Sequence, residues 1–177
     1  MRKIILNLAV SLDGFIEGPK GEFDWCFTDQ DYGMNQFLRR IDTIFFGRKS
    51  YEMLLAYEAN PYPDKMKYVF SRNLQATTTQ TEVISDNTVE TAAAIRSQAG
   101  KDIWLFGGAD LTTSFVNANL VDELQLAIHP VVLGQGKPLF AGIKERKHFR
   151  LTDTITYDSG LVQLFYESTY SAPADQL

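Results

Sequence analysis

Ile103-Trp104-Leu105-Phe106-Gly107-Gly108-Ala109 runs apolar for four residues, stops on a glycine pair, and leads into a helix-like segment, Asp110 to Asn119. So short an apolar run, bounded by glycines, reads as a buried strand. Glycines at its end let the backbone come within contact distance of a ligand, because no Cβ stands in the way. A helix start beyond them offers free N–H groups to an anion. The stretch is therefore a strand–turn–helix unit with the form of a phosphate cradle. A plain tight turn between a buried strand and a helix would read the same way. The spacing matches neither G-x-G-x-x-G nor G-x-x-x-x-G-K-[ST].

Working outward, the same unit recurs. Ile4 to Val10 is an apolar, β-branched run that reads as a buried strand, with Pro19 to Gly21 as a turn after it. Asp29 is placed to cap a helix through Phe37 and Leu38 to about Arg40. Thr43 to Phe46 is a second strand ending at Gly47, followed by a helix from Ser50 to Tyr57 that Asn60-Pro61-Tyr62-Pro63 breaks. Lys67 to Phe70 and Glu82 to Ile84 are further strands. Thr88 to Gln98 is an alanine-rich helix closed by Gly100, and Leu111 to Asn119 the helix after the glycine pair. The pattern then changes: Glu123 to Ile128 is a strand, and Thr152 to Tyr157 and Leu161 to Tyr166 form a hairpin about Asp158-Ser159-Gly160. Strand–helix alternation followed by antiparallel strands predicts an α/β fold: a mostly parallel central sheet, helices on both faces and an antiparallel C-terminal edge. Residues 1–170 read as one domain and Ser171 to Leu177 as a flexible tail.

Composition narrows the function. The 177 residues are 45% hydrophobic and 22% charged, ordinary for a globular domain with a large core. A formal charge of −5 argues against nucleic acid as a partner. The single cysteine, Cys26, allows no internal disulfide and has no nearby partners for a metal site, so it reads as a packing residue. With no apolar run of about 18 residues, no membrane span is expected, and the chain reads as cytoplasmic.

In such a sheet, ligands bind beyond the carboxyl ends of the parallel strands. That brings four loops together: Ser11–Gly18, Gly47–Ser50, Ser71–Asn73 and Gly107–Asp110. Gly47-Arg48-Lys49-Ser50 places two cations and a hydroxyl at a helix start, which suits a phosphate dianion; a solvated basic turn with Ser50 as a helix cap is the alternative. Ser71-Arg72 repeats the arrangement. A pyrophosphate at Gly107–Gly108 with an extra phosphate near Arg48 and Ser71 describes NADPH rather than NADH, because a 2′-phosphate needs its own cations.

Ser-Leu-Asp-Gly at 11–14, Gly-Arg-Lys-Ser-Tyr-Glu at 47–52, Ser-Arg at 71–72 and Gly-Gly at 107–108 stand in the order found in dihydrofolate reductases. Leu120-Val121-Asp122-Glu123-Leu124 and His129-Pro130-Val131-Val132-Leu133-Gly134 resemble more closely the C-terminal reductase domain of the riboflavin-biosynthesis deaminase–reductase and its stand-alone relatives. The resemblance covers roughly residues 2 to 168. It implies a dihydrofolate-reductase-like three-layer α/β/α fold, NADPH as hydride donor and a homodimer. It implies that Gly47, Arg48, Lys49 and Ser50 hold the 2′-phosphate side with Ser71 and Arg72. Phe106, Gly107, Gly108, Ala109 and Leu111 would hold the pyrophosphate side. Ala9, Ser11, Asp13, Gly14 and Ile16 would border the nicotinamide and substrate.

Two departures stand out. Dihydrofolate reductases carry an acidic residue on the first helix; here Gly33 falls near that position, with Asp29 and Asp31 just before it. Riboflavin-type reductases commonly carry Glu before the glycine pair, and this chain has Phe106, which cannot make the same polar contact. The zinc signature of the deaminase, H-x-E with P-C-x-x-C, does not occur in the sequence.

Asp13 and Asp31 are the candidate catalytic carboxylates. Asp13 could equally serve its own loop as an Asx turn. His129 reads as structural. Gly134-Gln135-Gly136-Lys137 reads as a flap or a hairpin loop, and Phe23, Trp25 and Tyr51 could wall a flat heterocycle or belong to the core. No metal site is expected. The resulting expectation is an NADPH-dependent reductase of a small heterocyclic or ribosylamine substrate, like 5-amino-6-(5-phosphoribosylamino)uracil reductase. A pterin reductase and a non-catalytic nucleotide-binding dimeric scaffold are the alternatives.

Overall fold

The computed structural model of the chain describes residues 1–74 and 80–170. The expected flexible tail lies outside the described residues. Its elements run β1 (Ile4–Ser11), β2 (Phe15–Glu17), α1 (Met34–Arg40), β3 (Ile41–Gly47), α2 (Arg48–Tyr57), β4 (Met66–Phe70) and β5 (Thr81–Ile84). They continue with α3 (Thr88–Ser97), β6 (Asp102–Gly107), α4 (Ala109–Asn117), β7 (Glu123–His129), β8 (Lys137–Pro138), β9 (Phe149–Thr156) and β10 (Val162–Ser168). One eight-stranded sheet has the order β5-β4-β3-β6-β1-β7-β10-β9. The pairings from β5 across to β7 are parallel. Those of β7 with β10 and β10 with β9 are antiparallel. The expected class, a mostly parallel sheet with an antiparallel C-terminal edge, is the observed one.

Strand periodicity sorts the side chains into three layers. On β1, Ile4 and Leu6 enter one core with Phe45, Leu105, Phe115 and residues of α3 and α4. Ile5 enters the other with Ile44, Phe46, Trp104 and residues of α1 and α2. Because successive side chains of a strand point to opposite faces, a strand covered by helices on both sides must be apolar at every position. That is why Ile4 to Leu6 on β1, Ile44 to Phe46 on β3 and Ile103 to Phe106 on β6 are apolar without alternation.

Several boundaries differ from expectation; α4, for one, begins at Ala109 and not at Leu111. The first helix begins at Met34, not Asp29, after Gly33 in the left-handed region at φ 77°. Asp29 does not cap it but accepts a hydrogen bond from the Tyr32 hydroxyl at 2.8 Å. Asp31 supports the helix start instead, accepting from the Asn35 N–H at 3.1 Å. Helix α2 begins at Arg48, so Ser50 lies inside it and is not its cap. The loop at 134–137 leads into β8, which pairs with β2.

Candidate functional site

At the carboxyl end of the sheet, β3 and β6 come so close that a Cβ on Gly47 would stand 3.1 Å from the Gly108 nitrogen. Gly107 has φ 109°, a backbone conformation that L side chains rarely adopt. The Gly107–Gly108 peptide is cis. A Cβ on Gly108 would meet the Ser50 Oγ at 3.3 Å. The glycines thus clear a concave strip of backbone between two helix starts, α2 and α4, and the fit to a phosphate is a matter of open space beside N–H groups.

This strip belongs to a cleft of about 640 Å³. Gly47, Arg48, Lys49, Ser50, Ser71 and Arg72 line it. So do Phe106, Gly108, Ala109 and Leu111, with Ala9 and Ile16. Its lining carries four cations, Arg48, Lys49, Arg72 and Lys137, against two carboxylates, Glu17 and Asp110. Arg48 is engaged with Glu52 one helical turn on, at 2.8 Å; both side chains are exposed, so the pair is worth little and can open for a ligand. The Ser71 hydroxyl accepts from the N–H groups of Asn73 and Leu74, which fixes the turn that presents Arg72.

Of the loop at 11–14, the structure places Ser11, Asp13 and Gly14 outside the lining of this cleft, as it does Gly107. Ser11 is buried; its Oγ donates to Asp13 at 2.7 Å and accepts from the Phe15 N–H at 2.9 Å. Asp13 also accepts from the Leu133 and Gly134 N–H groups at 3.1 and 2.7 Å. The Ser11 bond, with those two backbone bonds, holds its carboxyl below the usual range. These partners tie the loop after β1 to the loop after β7. Asp13→Ala is expected to free the 131–137 segment, read as faster amide exchange at Leu133 and Gly134 than in the unaltered protein.

A second cleft, of about 920 Å³, lies on the α1 face of the sheet. It shares Leu8, Ala9, Cys26 and Phe106 with the first, so the two meet over β1 and the end of β6. Its inner wall is aromatic. Trp104 packs on Phe37, Tyr62 and Phe106, with ring centroids 5.3, 5.4 and 4.9 Å away. Its floor carries amides: Asn7 and Gln125, adjacent across β1 and β7 with Nδ2 donating to Oε1 at 3.4 Å, and Gln163 on β10. Asp31 and Asp153 stand in its lining on α1's approach and on β9. Arg40 also lines it, but its guanidinium is spent on Glu123, by two bonds of 2.7 and 2.8 Å, and on Asp102 at 2.7 Å.

Some side chains stand elsewhere than their sequence context suggested. Tyr51 is fully buried, so it walls no ligand site. Phe23 lines the first cleft, and Trp25 packs edge-on against His129 at 5.4 Å. Cys26 borders both clefts, and burial, with Asp24 nearby, pushes its thiol up to about 11. Sequence reasoning missed Asn7, Gln125, Gln163, Asp153, Trp104 and Tyr62. The available signal was a polar residue at an inward phase of an otherwise apolar strand, as at Asn7 and Gln125. Among the described residues, no cluster of three or more His, Cys, Asp and Glu could hold a metal ion, and no helix is long and apolar enough to cross a membrane.

His129 is structural in its contacts. Its Nε2 accepts from the Phe27 N–H at 3.1 Å, and its Nδ1 bonds the Ala127 carbonyl at 3.0 Å, so the ring is neutral and pins the 23–29 segment over the junction of the clefts. Burial pushes its pKa below 6.5, against the raising effect of the Ala127 bond. The folded protein then binds fewer protons here than the unfolded chain, and stability is lost as pH falls below about 6.5 toward the lower folded value. A melting temperature followed against pH should show that decline, and His129→Gln should flatten it.

The architecture is that of the dihydrofolate-reductase-like superfamily. The chain belongs to the RibD C-terminal domain family, whose pattern it matches over residues 2–163. It is 49% identical over 177 residues to the uncharacterized protein YyaP of Bacillus subtilis (strain 168), covering 93% of this chain and 94% of that one. Among solved structures it is similar to a protein assigned to riboflavin biosynthesis from Shewanella sp. PV-4, with a TM-score of 0.84, 23% identity and coverage of 94% and 99%. It is also similar to the dihydrofolate reductase of Enterococcus faecalis complexed with NADP(H), with a TM-score of 0.71, 16% identity and coverage of 94% and 96%. Fold and family agree, since these solved structures share the chain's architecture.

Proposed function

We propose that the protein is an NADPH-dependent reductase that passes hydride to a small heterocyclic or ribosylamine acceptor. The observation that carries this reading is the junction of the clefts: a basic, glycine-lined trough and an aromatic, amide-floored cavity share Leu8, Ala9, Cys26 and Phe106. A dinucleotide's phosphates fit the trough, where backbone N–H groups, Ser50, Arg48, Lys49 and Arg72 converge. When bound, the cofactor supplies the hydride. The protein's part is alignment and exclusion of water. Ala9 and Phe106 border both clefts and set the shared wall, and the half-buried Phe106 and Tyr62, backed by Trp104, offer apolar ring surface to a planar acceptor. Asp31 is the candidate carboxylate bordering the acceptor, and a proton reaches the product from it or from water. Asp13 lies off both linings and is held ionised, which disfavours it as an acid.

The riboflavin-pathway acceptor, a ribosylaminopyrimidine, is the specific candidate the family suggests. A homodimer is proposed on the same ground, supported by the outer strand β9, exposed along most of its length with Leu151 and Ile155 in water; the solution mass tests it.

If the trough reads a 2′-phosphate, Arg48→Ala should weaken NADPH about tenfold, the value of one charge-assisted contact, and leave NADH within about twofold. Calorimetric titration of both cofactors checks this. Equal losses for the two would remove the assignment of Arg48.

A further inference from the structure

The two clefts carry opposite charge. The trough's lining has more cations than carboxylates, whereas the acceptor cavity's lining has Asp31 and Asp153 and one cation, Arg40. That cation is not available to an anionic ligand, since every nitrogen of its guanidinium bonds Glu123 or Asp102. His129, also in the lining, has both ring nitrogens engaged and is neutral. No Lys or other Arg lines the cavity among the described residues, and residues 75–79 and 171–177 contain neither type. A phosphate carries about two negative charges near neutral pH. Within this cavity it would meet carboxylates and amides, with no cation free to answer it.

The rest of the lining states what the cavity accepts. Phe106 and Tyr62, backed by the buried Trp104, give apolar ring surface. The amides of Asn7 and Gln125 offer a donor and an acceptor side by side, matching a lactam or amide edge. Asp31 and Asp153 answer N–H donors or a positive charge.

We propose that the acceptor cavity selects by charge and takes an unphosphorylated, planar acceptor that is neutral or cationic, with Asp153 as a specificity-determining residue. This rests on the reductase reading for the cavity's role, but it narrows the acceptor and sets aside a phosphoribosyl substrate.

The test uses matched probes that differ only by a phosphate: riboflavin against flavin mononucleotide, and pyridoxal against pyridoxal 5′-phosphate. Each is titrated into the purified protein saturated with NADP+, which keeps phosphates out of the trough, and binding is read by calorimetry. NADP+ affinity is measured first and separately, so that failure of the cofactor reading is seen as such. In both pairs the unphosphorylated member should bind about tenfold more tightly or better, from repulsion at partly screened distances. Asp31→Asn/Asp153→Asn should shrink that gap to within about threefold, and Asp153→Asn alone should narrow it. Equal or tighter binding of a phosphorylated member would overturn the proposal. So would failure of both unphosphorylated members to bind below about a millimolar, or a gap unchanged in the double variant.

Discussion

Gly108→Ala is expected to lower NADPH affinity about a hundredfold, close to 2.7 kcal/mol, while the melting temperature stays nearly constant. The two effects separate because of where the added methyl goes. Gly108 has φ −79° and ψ −162°, so alanine adopts its backbone without strain. The new Cβ meets only the Ser50 Oγ, at 3.3 Å, and a serine side chain can move by a few tenths of an ångström. Yet Gly108 lines the trough between two helix starts, where a phosphate needs van der Waals contact with backbone N–H groups. A methyl group there holds the phosphate off. Gly107→Ala should behave differently, since φ 109° strains any L side chain and the cost falls on folding, on the order of 1–3 kcal/mol. Calorimetry and thermal melts on the two variants would show the contrast. A Gly108→Ala protein with unaltered NADPH affinity would mean that the phosphates lie elsewhere.

Arg40→Ala should give the largest loss of stability, about 2–3 kcal/mol, or roughly 5–10 °C in melting temperature. Arg40 ends α1 and joins the starts of β6 and β7 through Asp102 and Glu123. The Glu123 side chain is only 10% exposed. Burial pushes its carboxyl up, but the bonds from Arg40 and Lys3 outweigh that and hold it below its usual 4.5. Removing Arg40 leaves a buried carboxylate with Lys3 alone, whose side chain is 45% exposed and therefore screened. Because the folded pKa is depressed, the pair's stabilisation is present above about pH 4.5 and is lost as pH falls through the lower folded value. The gap between Arg40→Ala and the unaltered protein should narrow on acidification. Arg40→Met combined with Glu123→Leu should recover part of the loss, because it removes the stranded charge.

The centre of the sheet was legible because β3 and β6 are buried on both faces and carry apolar runs without alternation. Ile103 to Leu105 and Ile44 to Phe46 are read that way directly, and the glycines after them mark the ends. The trough was legible for the same reason: its cations and glycines are contiguous in sequence at strand ends. The acceptor cavity was not. Asn7, Gln125 and Gln163 are single polar residues far apart in the chain, and only the strand order β1-β7-β10 makes them a floor. The short pairing of β2 with β8 was equally hidden, since a strand of two or three residues has no periodicity to read. Asp29 looked like a cap, but the left-handed turn at Tyr32 and Gly33 delays the helix to Met34.

The central claim is that the basic trough holds a dinucleotide through its 2′-phosphate and pyrophosphate. The direct measurement is calorimetric titration of the purified protein with NADPH and with NADH in one buffer of low salt. The trough's four cations and glycine strip predict NADPH binding well below a millimolar and at least about tenfold tighter than NADH. Failure of both cofactors to bind below about a millimolar, or equal affinity for the two, would contradict it.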